Sequence, residues 1–146
     1  MVAIAAAFVP IVVADPYEAD PDLAVRDEDY AAGQRAVGKK DWAEAARLFQ
    51  RAELRHPDEA DLQNMLGYSY RNQKQYDLAF KHYKRAIELD PRHRGAHEYI
   101  GETYLLVGDL AGAETQLAAL KEICLLPCAE LKDLERAIAQ YRGKPR

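Results

Sequence analysis

Cys124 and Cys128 close the run Cys-Leu-Leu-Pro-Cys and are the two cysteines of the chain. Thiols at this spacing admit three chemistries. In an oxidising compartment they are expected to form a disulfide, because a turn forced by Pro127 can bring the two Cα atoms within the roughly 4.4–6.8 Å that a bridge requires. So short a loop removes little chain entropy, and its effect is local, fixing the angle of whatever follows. In a reducing compartment the pair stays as buried free thiols. The third possibility is redox or metal chemistry, which would make this an envelope thiol- or metal-handling protein using Cys124 and Cys128. The spacing is not the Cys-x-x-Cys of redox folds, and no βαβ pattern surrounds it.

His93 and His97 stand one helical turn apart, a spacing at which two imidazoles can share a metal ion if both lie on one helix face. Pro91 just before them puts His93 in a turn, so the pair straddles a helix boundary and reads as packing or surface. His56 and His82 supply no third ligand, and no metal site is expected. Glu98 and Glu102, also one turn apart, are of a type that can do acid–base work. At 30% charged residues such pairs are common on solvated helices. Ser69, Thr103 and Thr115 are the only aliphatic hydroxyls, which leaves a hydroxyl nucleophile little to build on. No Gly-rich phosphate loop, nucleophile elbow or zinc-protease motif occurs. The chain is expected to have no catalytic residues and no cofactor.

The elements that must position these groups fit within one domain, since 146 residues fall within the usual size. A hydrophobic content of 49% is enough for a core. The net charge of −4 and pI near 5.6 argue against nucleic acid as partner, which needs clustered Lys and Arg. That charge is unevenly placed. Asp15, Glu18, Asp20 and Asp22 precede the first base, Arg26, and removing these four acids from the 24 leaves 20 against 20 Lys and Arg. Residues 15–25 read as an acidic linker, with Pro16 and Pro21 discouraging a helix. Residues 2–14, VAIAAAFVPIVVA, are apolar and uncharged but too short for the roughly 20 residues of a membrane-spanning helix. Residues 1–14 have the length of a signal-peptide core with cleavage expected after Ala14. Export, to the periplasm, is the expectation; the alternatives are a cytoplasmic chain or one anchored to a membrane through 2–14.

From Arg26 the chain repeats at one fixed period, the spacing that aligns Gly33, Gly67 and Gly101, and with them Ala45, Ala79 and Ala113. Ala32, Leu66 and Ile100 form another column; Phe49, Tyr83 and Leu117 a third; Ala52 and Ala86, and Pro57 and Pro91, coincide as well. The Leu66-Gly67-x-x-Tyr70 and Ile100-Gly101-x-x-Tyr104 runs put an apolar and an aromatic residue on one helix face, where they pack on a second helix. Asp41, Asp77 and Asp109 lie close to the expected N-caps of the second helices, and Pro57 and Pro91 stop them. The pattern resembles the tetratricopeptide repeat, whose unit is about 34 residues long, and the chain looks like a small exported bacterial member of that family. Repeats 26–59, 60–93 and 94–127 follow, then 128–146 as a capping helix and tail, with Leu131, Leu134, Ile138 and Tyr141 on one apolar face. The resemblance implies an all-α fold, an α-solenoid of three helix-turn-helix repeats plus a C-terminal cap.

The resemblance also implies a concave face lined by the first helix of each repeat. Carried onto this chain, the ligand-facing positions are Asp27, Tyr30, Gln34 and Val37, then Asp61, Asn64, Tyr68, Arg71 and Asn72, then Glu98, Glu102, Leu105 and Leu106. The family's grip on a peptide's terminal carboxylate uses Lys, Asn and Arg at places that here hold Tyr30, Gln34, Met65, Gly95 and Tyr99. That grip is missing. Acids and tyrosines remain, which suit a basic or mixed basic-apolar peptide segment of a protein partner; the alternative is a merely solvated face. The expectation is a non-catalytic adaptor or assembly factor with no nucleic acid or small-molecule substrate, monomeric or weakly self-associating. A self-assembling structural module is the remaining alternative, since stacked repeats can continue between chains.

Overall fold

A computed structural model describes residues 21–144. The expected leader and residues 15–20 of the acidic arm lie outside the described residues. Within the described residues there are eight helices and no strand: α1 (Pro21–Arg26), α2 (Glu28–Gly38), α3 (Trp42–Glu53), α4 (Ala60–Asn72), α5 (Tyr76–Leu89), α6 (Arg94–Leu106), α7 (Leu110–Ile123) and α8 (Ala129–Arg142). None is long and apolar enough to cross a membrane.

Each helix follows from local signals. In α3, Ala45, Leu48, Phe49 and Ala52 recur at one-turn spacing and are all buried, while Asp41 caps the start by accepting a hydrogen bond from the Glu44 N–H at 3.2 Å. Asp109 does the same for α7 through the Gly112 N–H at 2.8 Å. In α5 the N-cap is Gln75, without a side-chain capping bond, and Asp77 lies in the first turn, where a negative charge interacts favourably with the helix dipole. Pro21 corrects one expectation. Rather than breaking a helix it opens α1, because at the first helical position its missing N–H has no intrahelical partner to lose. The last residues of the expected linker are therefore helical, with Leu23 at zero exposure in the core.

Packing follows chain order. The helices pair as α2 with α3, α4 with α5 and α6 with α7; α3 then meets α4, α5 meets α6, and α8 lies on α6 and α7. The first helices α4 and α6 also touch. Contacts that run mostly to the next element are the signature of a solenoid. One cluster joins Leu23, Tyr30, Phe49, Leu62, Leu66, Tyr83 and Ile100, among others; a second, Ala113, Leu120, Leu134 and Ile138, is built around α8.

The glycine columns have a direct steric reason. A Cβ at Gly33 would stand 2.5 Å from a Phe49 ring carbon, at Gly67 2.6 Å from the Tyr83 ring, and at Gly101 2.7 Å from a Leu134 methyl. In the first two repeats the glycine receives the aromatic of its own second helix. In the third it receives Leu134 of α8. The turn inside each repeat uses a left-handed residue at the same column, Lys40 (φ 58°), Lys74 (φ 60°) and Gly108 (φ 84°).

Candidate functional site

α4 and α6 lie side by side and carry an aromatic ladder. Trp42, from the start of α3, meets Tyr68 edge-on at 5.7 Å between ring centroids, and Tyr68 meets Tyr99 at 5.0 Å. The Arg71 guanidinium lies 5.3 Å from both the Tyr68 and the Tyr99 ring centroids, a cation–π arrangement, and pairs with the Glu102 carboxylate. The Arg71 side chain is 15% exposed and that of Glu102 28%, so the pair is screened less than a surface ion pair. Burial pushes the Tyr99 hydroxyl up to about 12, so it stays protonated and able to donate.

Pockets open on either side of this pair. Toward the C-terminal end of α6, one of about 240 Å³ is lined by Arg71, Glu102, Leu105 and Leu106, and across from them by Ala137, Gln140, Tyr141 and Lys144 of α8 and its tail. Toward the N-terminal end, another of about 200 Å³ is lined by Asp61, Asn64, Met65, Gly95, Glu98, Tyr99 and Glu130. Its polar groups are mostly acceptors. Glu98 is 8% exposed, Asn64 5% and Glu130 8%. The Asn64 Oδ1 and the Glu130 Oε2 are buried without a hydrogen-bond partner. Arg94 stands 3.8 Å from that Glu130 oxygen, ion-pair range but beyond a hydrogen bond. Burial first, then the charges of Glu102, Asp133 and Glu130, push the Glu98 carboxyl up to about 8 against the opposing pull of Arg71.

The expected groove residues divide accordingly. Asp61, Asn64 and Glu98 are brought together at the acidic pocket, Arg71 and Glu102 at the apolar one, with Tyr68 between. Gln34, half-buried on α2, and Asn72 line neither of these pockets; the Asn72 amide donates to the Tyr68 carbonyl at 2.8 Å. Two assignments are corrected. Tyr30 is at zero exposure with its ring 5.5 Å from Phe49, a core residue with no face for a ligand. Asp27, 4% exposed, caps α2 through the Tyr30 N–H at 2.9 Å and is gripped in two places by Arg55, at 2.8 and 2.9 Å. The Arg55 hydrogen bonds hold its carboxyl down at about 2. Val37 is partly buried and packs against the same core.

Tyr99, Glu130, Ala137 and Tyr141 are not among the expected ligand-facing residues. A signal for the α8 contribution does exist: Leu134 falls one full repeat period after Ile100, so α8 continues the column of first helices. The histidines are engaged in structure. His93 is the N-cap of α6, its Nδ1 accepting from the Ala96 N–H at 3.0 Å, which places the proton of the neutral ring on Nε2, 3.1 Å from Asp61. Burial holds its pKa down at about 4, keeping it neutral. His97 meets the Gln116 side chain and donates to the Pro91 carbonyl. Among the described residues no three His, Cys, Asp or Glu are grouped to hold a metal ion. Cys124 ends α7 and Cys128 caps α8, with Cα atoms 6.0 Å apart and the sulfurs in contact.

A family model for the tetratricopeptide repeat matches residues 30–93 and 81–123. Among solved structures, the type III secretion translocator chaperone SycD of Yersinia enterocolitica superposes with a TM-score of 0.70 at 22% identity, over 82% of this chain and 89% of that one. The Sgt2 TPR domain from Aspergillus fumigatus gives 0.71 at 16% identity, over 87% and 81%, and a chain of the CopN–Scc3 complex 0.67 at 21% identity, over 92% and 80%. At these identities the likeness is one of fold. The human and mouse protein O-mannosyl-transferase TMTC3 match at 29% identity over 83 residues, 57% of this chain but 9% of their own length.

Proposed function

The chain belongs to the tetratricopeptide repeat family, and from that premise we propose that it is a non-catalytic adaptor or assembly factor holding a basic or mixed basic-apolar segment of a partner protein along α4, α6 and α8. The observation that carries this reading is the Tyr68–Arg71–Tyr99–Glu102 cluster, which joins an acidic pocket to an apolar one. Rigid aromatic faces give contact area at low entropic cost, and buried acceptors favour a cationic partner. Structural neighbours named as a chaperone and as part of a two-protein complex support an interaction role. Export, with residues 1–14 as the address, belongs to the same proposal and rests on the apolar run alone.

The test is selection from a displayed random peptide library on the full chain, with and without Tyr68→Ala. Enrichment of peptides pairing a basic with an apolar residue, lost in the variant, supports the reading. Enrichment of acidic peptides, or selection unchanged by Tyr68→Ala, overturns it.

A further inference from the structure

The acidic pocket holds acceptors that the protein's own hydrogen bonds leave unserved. The Asn64 Oδ1 on α4 and the Glu130 Oε2 on α8 are both buried without a hydrogen-bond partner, the latter with Arg94 at an ion-pair distance of 3.8 Å, and the Glu98 carboxyl on α6 is buried with them in one pocket of about 200 Å³. A buried acceptor without a donor costs roughly the desolvation of that group, so the site is complementary to something that brings N–H groups. We propose that this pocket receives the ammonium of a lysine side chain from the partner segment, with Asn64, Glu98 and Glu130 as its acceptors. This rests on the groove reading above and names the residue that the groove selects.

Lysine fits the geometry better than arginine. An ammonium presents three donors in a cone, matching acceptors that converge from three helices, whereas a guanidinium presents a flat fork suited to one carboxylate. Tyr99 and Met65 in the same lining supply an apolar wall for the methylene stem. The second pocket fixes the spacing. Glu98 and Leu105 lie seven positions apart on α6, about 10 Å at the helical rise, which a peptide in the polyproline II conformation crosses in about three residues with both side chains on one face. The selected pattern is therefore a lysine followed by an apolar residue three positions on, or the same pair in reverse.

Charge facing the ammonium comes from every packed element: Asp61 and Arg71 on α4, Arg94, Glu98 and Glu102 on α6, Glu130 and Asp133 on α8, with neutral His93 bound to Asp61. Because Glu98 holds its proton up to about 8, lysine capture expels that proton, and affinity rises from pH 6 to pH 9 while the lysine itself stays charged.

Fluorescence anisotropy on the full chain tests this with two labelled peptides, one carrying Lys-Ala-Ala-Leu and the other norleucine-Ala-Ala-Leu. The lysine peptide is expected to bind roughly tenfold tighter, with the margin growing toward pH 9 and shrinking in Glu130→Gln. Equal, Tyr68-dependent affinities for the two peptides overturn the pocket and leave the groove intact, with water serving the acceptors. Failure of both peptides, and of the reversed Leu-Ala-Ala-Lys peptide, to bind overturns the pocket and the groove together. The wild-type comparison stands even if Glu130→Gln does not fold.

Discussion

Arg71 and Glu102, far apart in sequence, pair side chain to side chain across α4 and α6, and the same guanidinium lies over the rings of Tyr68 and Tyr99. One cation thereby ties together two neighbouring repeats at the middle of the candidate groove. Replacing Arg71 by Met leaves Glu102 without its partner and the tyrosine faces without their cation. Urea unfolding at neutral pH is expected to show a loss of about 1–3 kcal/mol. A change smaller than about 0.5 kcal/mol, the range of ordinary surface substitutions, would mean that the pair adds nothing net to stability.

Glu98 makes stability depend on pH with a definite sign. Its pKa rises from 4.5 to about 8 on folding, so its contribution is complete below 4.5 and lost progressively as pH rises through 8. Glu98→Gln cannot ionise. Relative to wild type it is expected to gain stability on the order of 1–3 kcal/mol at pH 8 and nothing at pH 4. An equal difference at both pH values would refute the assignment.

Asp27 has the opposite sign. Its pKa falls from 3.8 to about 2, first through the Arg55 hydrogen bonds, so its contribution is present above 3.8 and disappears as pH falls through 2. Chemical denaturation of Asp27→Asn should be less pH-dependent between these values than that of wild type. Parallel curves for the two proteins would show that the Arg55 grip is not coupled to folding.

Gly67 separates steric from conformational explanations of the repeat. On helix propensity alone Gly67→Ala gains about 1 kcal/mol. With the new Cβ 2.6 Å from the Tyr83 ring, the expected result is instead a net loss of about 1–3 kcal/mol. The double variant Gly67→Ala with Tyr83→Leu should recover part of it, because Leu fills less of the space facing the new methyl. No recovery in a double-mutant cycle would place the cost elsewhere.

The cap and its cysteines can be tested separately. Leu134 is fully buried against α6 and α7, and Leu134→Ala is expected to cost about 2–5 kcal/mol in thermal or urea unfolding. If the chain is exported, Cys124 and Cys128 should resist alkylation until reduced, read as a mass shift on the intact protein. Immediate labelling of both thiols in native protein would remove the bridge. N-terminal sequencing of the same sample tests export, since an intact Met1 in soluble native protein counts against cleavage after Ala14.

Much of this architecture is legible in one dimension because a repeat states the same residue columns three times. Gly33 and Gly67, each facing the aromatic of its own second helix, are local consequences of one helix hairpin, so period and residue size together specify them, whereas Gly101 keeps the column but faces Leu134 of α8. The second-helix caps Asp41 and Asp109 are readable for the same reason, since capping reaches only three residues along the chain. The fate of a column at the ends of the array is not local. Tyr30 occupies the same column as Asn64 and Glu98, yet it is sealed in a core shared with Leu23 of α1, a helix that reading Pro21 as a breaker leaves out. Asp27 likewise matches Asp61 in register, but Arg55 and His56 hold it as a cap.

At the other end, Glu130 enters the acidic pocket because α8 takes the place of a further first helix and lays its own residues across from Asn64 and Glu98. Residue order alone carries a helical repeat of constant period, its glycine columns and the acid- and tyrosine-rich character of its first helices. Which of those side chains stay exposed, and which acceptors are buried without a hydrogen-bond partner, is set by the packing of the helices. Burial and pairing depend on what packs from distant parts of the chain, and a periodic pattern carries no information about what closes its two ends.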